Sequence, residues 1–226
     1  MKKDCIVLQV RLRSRRLPGK LILPLKGGVI FYHVLSRLCS ARRPNGVIVA
    51  TTDDTLPYIE DIARNYGVEI ITGSEKDVLG RFAQAVRRFN IANLVRATGD
   101  NPLVCIDYID RTLELHRASG ADLTTFPGLP YGTGVEVVSG PVLMEIERLA
   151  TSTDQREHIT RYIYQHDDTY LIEKGIAENH LKRPEVRLTV DTPEDYKRMK
   201  KIYQDLYRER PIKLDEVIEY WDHANS

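Results

Sequence analysis

Short β-rich apolar runs alternate with amphipathic helical segments through the first 120 residues, and no other feature restricts the fold as much. Residues 5–8, 47–52, 68–72 and 94–97 read as buried strands. Residues 29–41, 56–66, 77–89 and 106–119 read as the helices between and after them. In the first helix Val29, Tyr32, Leu35 and Leu38 recur at helical spacing, and Gly67 and Gly120 close later ones. Such alternation specifies parallel βαβ units, whose strand ends collect on one edge beside the ligand crevice. Gln9, Asp53, Gly73 and Asp100 are therefore expected at a single crevice.

Beyond residue 120 the pattern loosens. Residues 122–125 and 135–138 read as strands around the turn-rich loop from Pro127 to Gly134. Helices are expected at 141–149 and 156–166, the latter opened near Thr153 and Asp154. Strands follow at 170–173 and 186–190, then a long helix over 191–208 and a last one over 214–221. No internal repeat, low-complexity segment or interdomain linker stands out. The expectation is one α/β domain over residues 1–226, with a mixed, mainly parallel sheet flanked by helices.

No run of about 18 apolar residues exists, so no membrane insertion is expected. The N-terminus lacks the apolar stretch of a signal peptide, and a cytoplasmic location is expected. Cys5, Cys39 and Cys105 are odd in number and far apart, which reads as reduced core or near-core thiols. The net charge of +1 hides an asymmetry. Residues 1–46 hold eleven Lys and Arg against Asp4 alone, so that segment carries +10 and the remainder −9. A basic lobe against an acidic remainder suits an anionic small ligand held partly through metal ions. It does not suit a nucleic-acid binder, which is usually basic overall.

Most of that charge sits in the loop after the first strand, where Arg11, Arg13, Arg15, Arg16 and Lys20 fall within ten residues beside Ser14 and a Pro18-Gly19 turn. Five cations on one loop need anions or carboxylates to screen them. The loop reads as a polyphosphate cradle, with arginines gripping oxygens and Lys20 as a point charge. A solvated basic loop or a nucleic-acid patch fits the charge equally well.

The order of residues separates these readings. Gln9, Arg11, Ser14, Arg16, Leu17, Pro18, Gly19 and Lys20 resemble the Q-A-R-x-x-S-x-R-L-P-G-K signature of the CMP-sugar synthetase group, above all its spore coat polysaccharide biosynthesis cytidylyltransferases. Arg13 stands where a small residue is common, and Arg15 where threonine is. Thr98-Gly99-Asp100-Asn101-Pro102 resembles the family's G-D-x-P turn. Gly73 to Phe82 resembles its G-S-x-x-D-V-L-G-R-F segment. Val190 to Asp195 is similar to the V-D-T-P-E-D segment of 3-deoxy-manno-octulosonate cytidylyltransferases. The four segments agree in order from Gln9 to Asp195.

The resemblance implies a Rossmann-like nucleotidyltransferase domain of glycosyltransferase-A type. It implies transfer of CMP from CTP to an anionic acceptor, such as a sugar acid or sugar phosphate, with release of pyrophosphate for surface polysaccharide or glycan precursors. Asp100 and Asp191 would hold Mg²⁺, and with Arg11 and Lys20 they form the expected catalytic set. Gln9, Arg11, Ser14, Arg16, Lys20, Ser74, Asp77 and Arg81 would bind the nucleotide. Glu136, Arg156, Glu157 and His158 resemble acceptor-binding segments. A homodimer is implied, and nucleic acid is not an expected partner.

Each residue also has a plainer reading. Asp100 fits a turn aspartate, and the segment from Asp191 to Asp195 fits a capped helix start. Ser74 and Asp77 fit another cap, Asp53 and Asp54 a third, and His158 an ordinary helix histidine. Two other functions compete: a transferase using another NTP with a sugar 1-phosphate, and a non-catalytic binder of RNA or other polyanions on a degenerate transferase fold.

Overall fold

The computed structural model describes residues 2–224. Its first strand, β1 (Lys3–Gln9), shows why the chain forms a sheet covered on both faces. Cys5 and Val7 enter one apolar cluster, and Ile6 and Leu8 enter the other, on opposite sides of the same strand.

The elements alternate as follows. The short pair β2 (Pro24–Leu25) and β3 (Gly28–Val29) leads into α1 (Ile30–Cys39). Then come β4 (Gly46–Thr51), α2 (Leu56–Asn65), β5 (Glu69–Thr72), α3 (Val78–Phe89), β6 (Ile91–Thr98) and α4 (Ile106–Ser119). The second half holds β7 (Leu123–Thr125), β8 (Glu136–Ser139), α5 (Gly140–Leu149), α6 (Thr153–Glu157) and α7 (Arg161–Gln165). It ends with β9 (Ile172–Lys174), α8 (Pro193–Leu206) and α9 (Leu214–Ala224).

Seven strands form one sheet in the order β5-β4-β1-β6-β8-β7-β9. β8 pairs antiparallel with both β6 and β7, and the other pairings are parallel. The sheet is therefore mixed and mainly parallel, as expected. From β1 the chain runs outward through β4 to β5, then returns to place β6 on the other side of β1. That reversal is the topological switch point where open α/β sheets bind ligands. No helix among the described residues is long and apolar enough to cross a membrane.

Several sequence expectations need correction. The helix read over 156–166 is two short helices, broken at His158 to Thr160. Ile159 and Ile163 lie four apart and mimic a helical face, but Thr160 is drawn out to donate to Glu136 at 3.0 Å. Residues 186–190 do not form a strand. Val186, Leu188 and Val190 do alternate into the core, yet among the described residues the segment's one β-bridge is to Tyr131. Cys39 is exposed, not near the core. Asp54 caps no helix: the N-cap of α2 is Thr55, with no side-chain cap bond, and Asp54 instead accepts from Thr52 and pairs with Arg13. Asp53 and Gly73 do not line the crevice; of the loop after β5 it is Glu75 and Lys76 that do.

Candidate active site

A crevice of about 1310 Å³ opens at the ends of β1 and β6. One close approach forms its floor. The amide of Gly99 donates to the carbonyl of Gln9 at 3.0 Å, and a Cβ at Gly99 would fall 2.6 Å from Val10 Cγ1. Only glycine lets the β6 turn pack this tightly on the β1 loop. One wall is the segment before α8, fastened where Val190 N donates to the Asp100 carbonyl at 2.8 Å.

The cationic loop is screened largely by carboxylates of the protein itself. Arg11 pairs with Glu157 at 3.0 Å, Arg13 with Asp54 at 2.9 Å and Arg16 with Asp191 at 3.1 Å. Lys20 is buried and donates to three oxygens: Asp100 Oδ2 at 2.9 Å, the Val190 carbonyl at 3.1 Å and Asp191 Oδ1 at 3.2 Å. Arg15 is exposed and pairs with no carboxylate among the described residues. Ser14 turns the loop, its hydroxyl accepting from Leu17 N at 3.4 Å.

Asp100 and Asp191 thus meet on a single ammonium. Burial pushes Asp100 up, but the Lys20 charge and hydrogen bonds from Thr98 and Lys20 outweigh it and hold the carboxyl below its ordinary value. Asp191 is held from the other side by Arg187, whose Nη2 lies 2.6 Å from Oδ2. Its backbone is fixed by a capping box, in which Asp195 accepts from the amides of Asp191 and Thr192 and Thr192 accepts from Asp195 N. The cap and the site position coexist in one segment.

Two carboxylates and a carbonyl gathered on one cation make a hard-oxygen donor set, which fits Mg²⁺. Among the described residues no third His, Cys, Asp or Glu completes a protein cage. A divalent ion there would take its remaining ligands from phosphate oxygens and water.

Residues 5–213 match the family model described as Cytidylyltransferase. The chain belongs to this family. It is 31% identical over 224 residues to the spore coat polysaccharide biosynthesis protein SpsF of Bacillus subtilis, covering 96% of this chain and 93% of that protein. It resembles the structure of a cytidylyltransferase from Leptospira borgpetersenii with TM-score 0.91 and 27% identity, covering 100% of this chain and 96% of the other. A CMP:2-keto-3-deoxy-manno-octonic acid synthetase complexed with CTP shares the fold, with TM-score 0.67 at 17% identity over 90% of this chain and 99% of the other.

In this member of the family the other expected site residues divide into two groups. Gln9, Glu136, Glu157 and His158 line the crevice with the loop residues and the two aspartates. The Oε1 of Gln9 is buried there without a hydrogen-bond partner. Ser74, Asp77, Arg81 and Arg156 stand behind the lining, where Glu75 and Lys76 face the crevice instead. Asp77 caps α3 through Gly80 N at 2.9 Å and receives Arg156 at 2.6 Å. Burial raises Asp77, and the Arg156 and Gly80 bonds more than offset it. Arg81 is buried and donates to the Ser74 carbonyl at 2.7 Å, which shapes the loop from beneath. Burial, reinforced by the charge of Arg11, pushes it below its ordinary value.

Sequence reasoning missed Arg187, Thr98, Tyr131 and Arg96. Thr98 donates to Asp100 Oδ1 at 2.6 Å. The Arg187 guanidinium lies 4.8 Å from the ring centre of Tyr131 on the crevice wall. Gly132, at φ 96°, lets that wall pass within 2.8 Å of the Thr189 amide, measured from an added Cβ. Thr98 was visible as the residue before the Gly-Asp turn. Arg187 carried no signal, since its segment read as an ordinary strand.

Proposed function

We propose that residues 1–226 act as one nucleotidyltransferase domain that moves CMP from CTP to an anionic acceptor, a sugar acid or a phosphate-bearing sugar or polyol. Pyrophosphate is the second product, and surface glycan precursors are the setting. The observation that carries the reading is the convergence of Lys20, Asp100 and Asp191 in the crevice that Arg11 and Arg16 also line. Family membership supports the same chemistry.

In this reading an acceptor oxygen attacks the α-phosphorus in line, and the bond to the β-phosphate oxygen breaks. No protein nucleophile is needed, because positioning and charge neutralisation supply the catalysis. Arg11, Arg16 and Lys20 exchange carboxylate partners for triphosphate oxygens and then stabilise the departing pyrophosphate. Thr98 and the capping box keep Asp100 and Asp191 aimed into the crevice. When bound to these two carboxylates, Mg²⁺ would neutralise phosphate charge and lower the pKa of an attacking hydroxyl. Ser74, Asp77 and Arg81 shape the loop that meets the base and ribose, with Glu75 and Lys76 at its crevice side.

Polyanion binding is disfavoured, since four of the five loop cations already hold carboxylates. The test is a thermal-shift panel of CTP, UTP, GTP and ATP with and without Mg²⁺. A shift selective for CTP and enlarged by Mg²⁺ is expected. Equal shifts with every nucleotide, lost in salt and indifferent to Mg²⁺, would overturn the reading.

A further inference from the structure

Arg96 has no part in the reading above, yet its surroundings ask for a ligand. It lies on β6 next to the central β1, opposite Val7 on one side and Glu136 on the other. Its side chain is 22% exposed and lines the crevice. Nη1 donates to Glu136 Oε2 at 2.8 Å, while Nε is buried and makes no hydrogen bond. The Nε and Nη2 edge of a guanidinium is a fork matched to two oxygens of a carboxylate or phosphate. Here that edge bonds to nothing among the described residues, in a position where an unmet donor is unfavourable.

Glu136 is held by three donors from the protein. Oε2 accepts from Arg96 and from Thr160 at 3.0 Å, and Oε1 accepts from Tyr164 at 2.8 Å. Three donors fix the carboxylate, and the carboxylate fixes the plane of Arg96. Thr98, the next residue on the same face of β6, touches Asp100. Two strand residues span about 6.6 Å, which suits the gap between the reacting oxygen of a small acceptor and its own charged group.

We propose that Arg96 anchors the oxyanion carried by the acceptor, a carboxylate or a phosphate, and that Glu136 positions Arg96 for it. The proposal rests on the cytidylyl-transfer reading and adds to it the residue that selects acceptors by charge. It makes neutral sugars poor acceptors whatever their stereochemistry.

The test loads the protein with Mg²⁺ and the α,β-methylene analogue of CTP. The complex is then titrated calorimetrically with 3-deoxy-manno-octulosonate, glucose 1-phosphate, inorganic phosphate and neutral methyl glucoside. A carboxylate or phosphate probe should bind the loaded wild type and the neutral glucoside should not. Arg96→Gln should weaken that probe about tenfold or more while leaving nucleotide affinity unchanged. Glu136→Gln should weaken the same probe by about threefold to tenfold, again without touching the nucleotide. Whichever probe class responds tells carboxylate from phosphate.

Equal probe affinity in Arg96→Gln and wild type would overturn the proposal. So would parallel loss of nucleotide and probe, or failure of every oxyanion probe to bind the loaded wild type. Should Arg96→Gln melt too low to load, Arg96→Lys answers by the same tenfold criterion, because it keeps a charge on Glu136 but loses the fork. A wild type that takes no CTP analogue fails before any acceptor probe is added, and it is the cytidylyl-transfer reading that then falls.

Discussion

The ammonium of Lys20 lies 3.2 Å from Oδ1 of Asp191, although 171 positions separate the two residues in the chain. The same ammonium reaches Asp100 at 2.9 Å and the Val190 carbonyl at 3.1 Å. One buried cation therefore fastens the end of β6 to the segment before α8 and keeps two carboxylates together that would otherwise repel. The Lys20 ammonium is thus answered by carboxylates of the protein itself, without substrate. A ligand that brings its own cation must displace or share that ammonium.

Lys20→Met tests this balance. Turnover should fall by about two orders of magnitude or more, because a charge that stabilises the triphosphate and its leaving group is gone. The variant should also melt lower in chelator, since Asp100 and Asp191 lose their shared counter-ion. Added Mg²⁺ should then raise its Tm more than that of the wild type. Melts with and without Mg²⁺ decide the point, and equal Mg²⁺ shifts in both proteins would remove the carboxylate pair as the metal site.

Asp195→Ala removes a residue that touches no substrate in the proposed mechanism. Asp195 is 5% exposed, accepts from the amides of Asp191 and Thr192, and pairs with Arg187 at 3.4 Å. Loss of the capping box should lower stability by about 1–2 kcal/mol. Turnover per folded molecule should fall as well, because the Asp191 backbone is no longer held, and Asp195→Asn should recover part of both. Urea unfolding beside pyrophosphate release separates the two effects. Reduced stability with unchanged turnover would show that Asp191 does not depend on the box.

These two residues mark how far the sequence could be read. The alternation of apolar runs and helices carried the sheet, and the charge-dense loop with its Gly-Asp and Val-Asp-Thr-Pro partners carried the crevice. Which carboxylate answers which cation was not legible, because Lys20 and Asp191 are neighbours only after the sheet reverses direction at β1. Arg187 stayed hidden for a related reason. Its alternating neighbours Val186, Leu188 and Val190 do enter the core, so the segment read as a strand, but no strand lies beside it to complete a ladder. Arg96 was concealed within a run read as buried, and only the placement of Glu136 on β8 explains how a cation sits there. The break between α6 and α7 depends on that same carboxylate, which local periodicity cannot anticipate.

Arg37→Met should be among the more damaging single changes outside the crevice. Arg37 is 3% exposed and donates through Nε to the Val104 carbonyl at 2.7 Å and through Nη1 to the Ile212 carbonyl at 2.8 Å. Methionine keeps much of the packing but leaves both acceptors without a donor, at a cost of about 2–4 kcal/mol in chemical unfolding. A loss below about 0.5 kcal/mol would mean that other groups or water satisfy those carbonyls equally well.

Acid should destabilise the protein in two separable windows. His33 is buried against the rings of Tyr32, Tyr203 and Tyr207, with centroids 5.2, 4.4 and 5.0 Å away. Burial pushes its imidazole down from 6.5 to about 4, against a hydrogen bond that the ring donates to the Lys26 backbone and with help from the Arg37 charge. Between those values the unfolded chain binds a proton that the native state refuses. Stability therefore falls as pH drops from 6.5 to about 4 and gains no further loss from this group below that. Discounted for partial solvation, the loss is about 2 kcal/mol. Asp77, Asp100 and Asp195 act lower. Each is held below its ordinary 3.8, so the stability it contributes is present above that value and lost as pH falls through its native pKa. His33→Phe keeps an aromatic ring in the tyrosine cluster and should flatten the Tm profile between pH 6.5 and 4 while leaving the steeper fall below 3.8. His116, also pushed down by burial, should leave a residual slope in the upper window. An unchanged slope in His33→Phe would assign the upper window to other groups and refute the role given to His33.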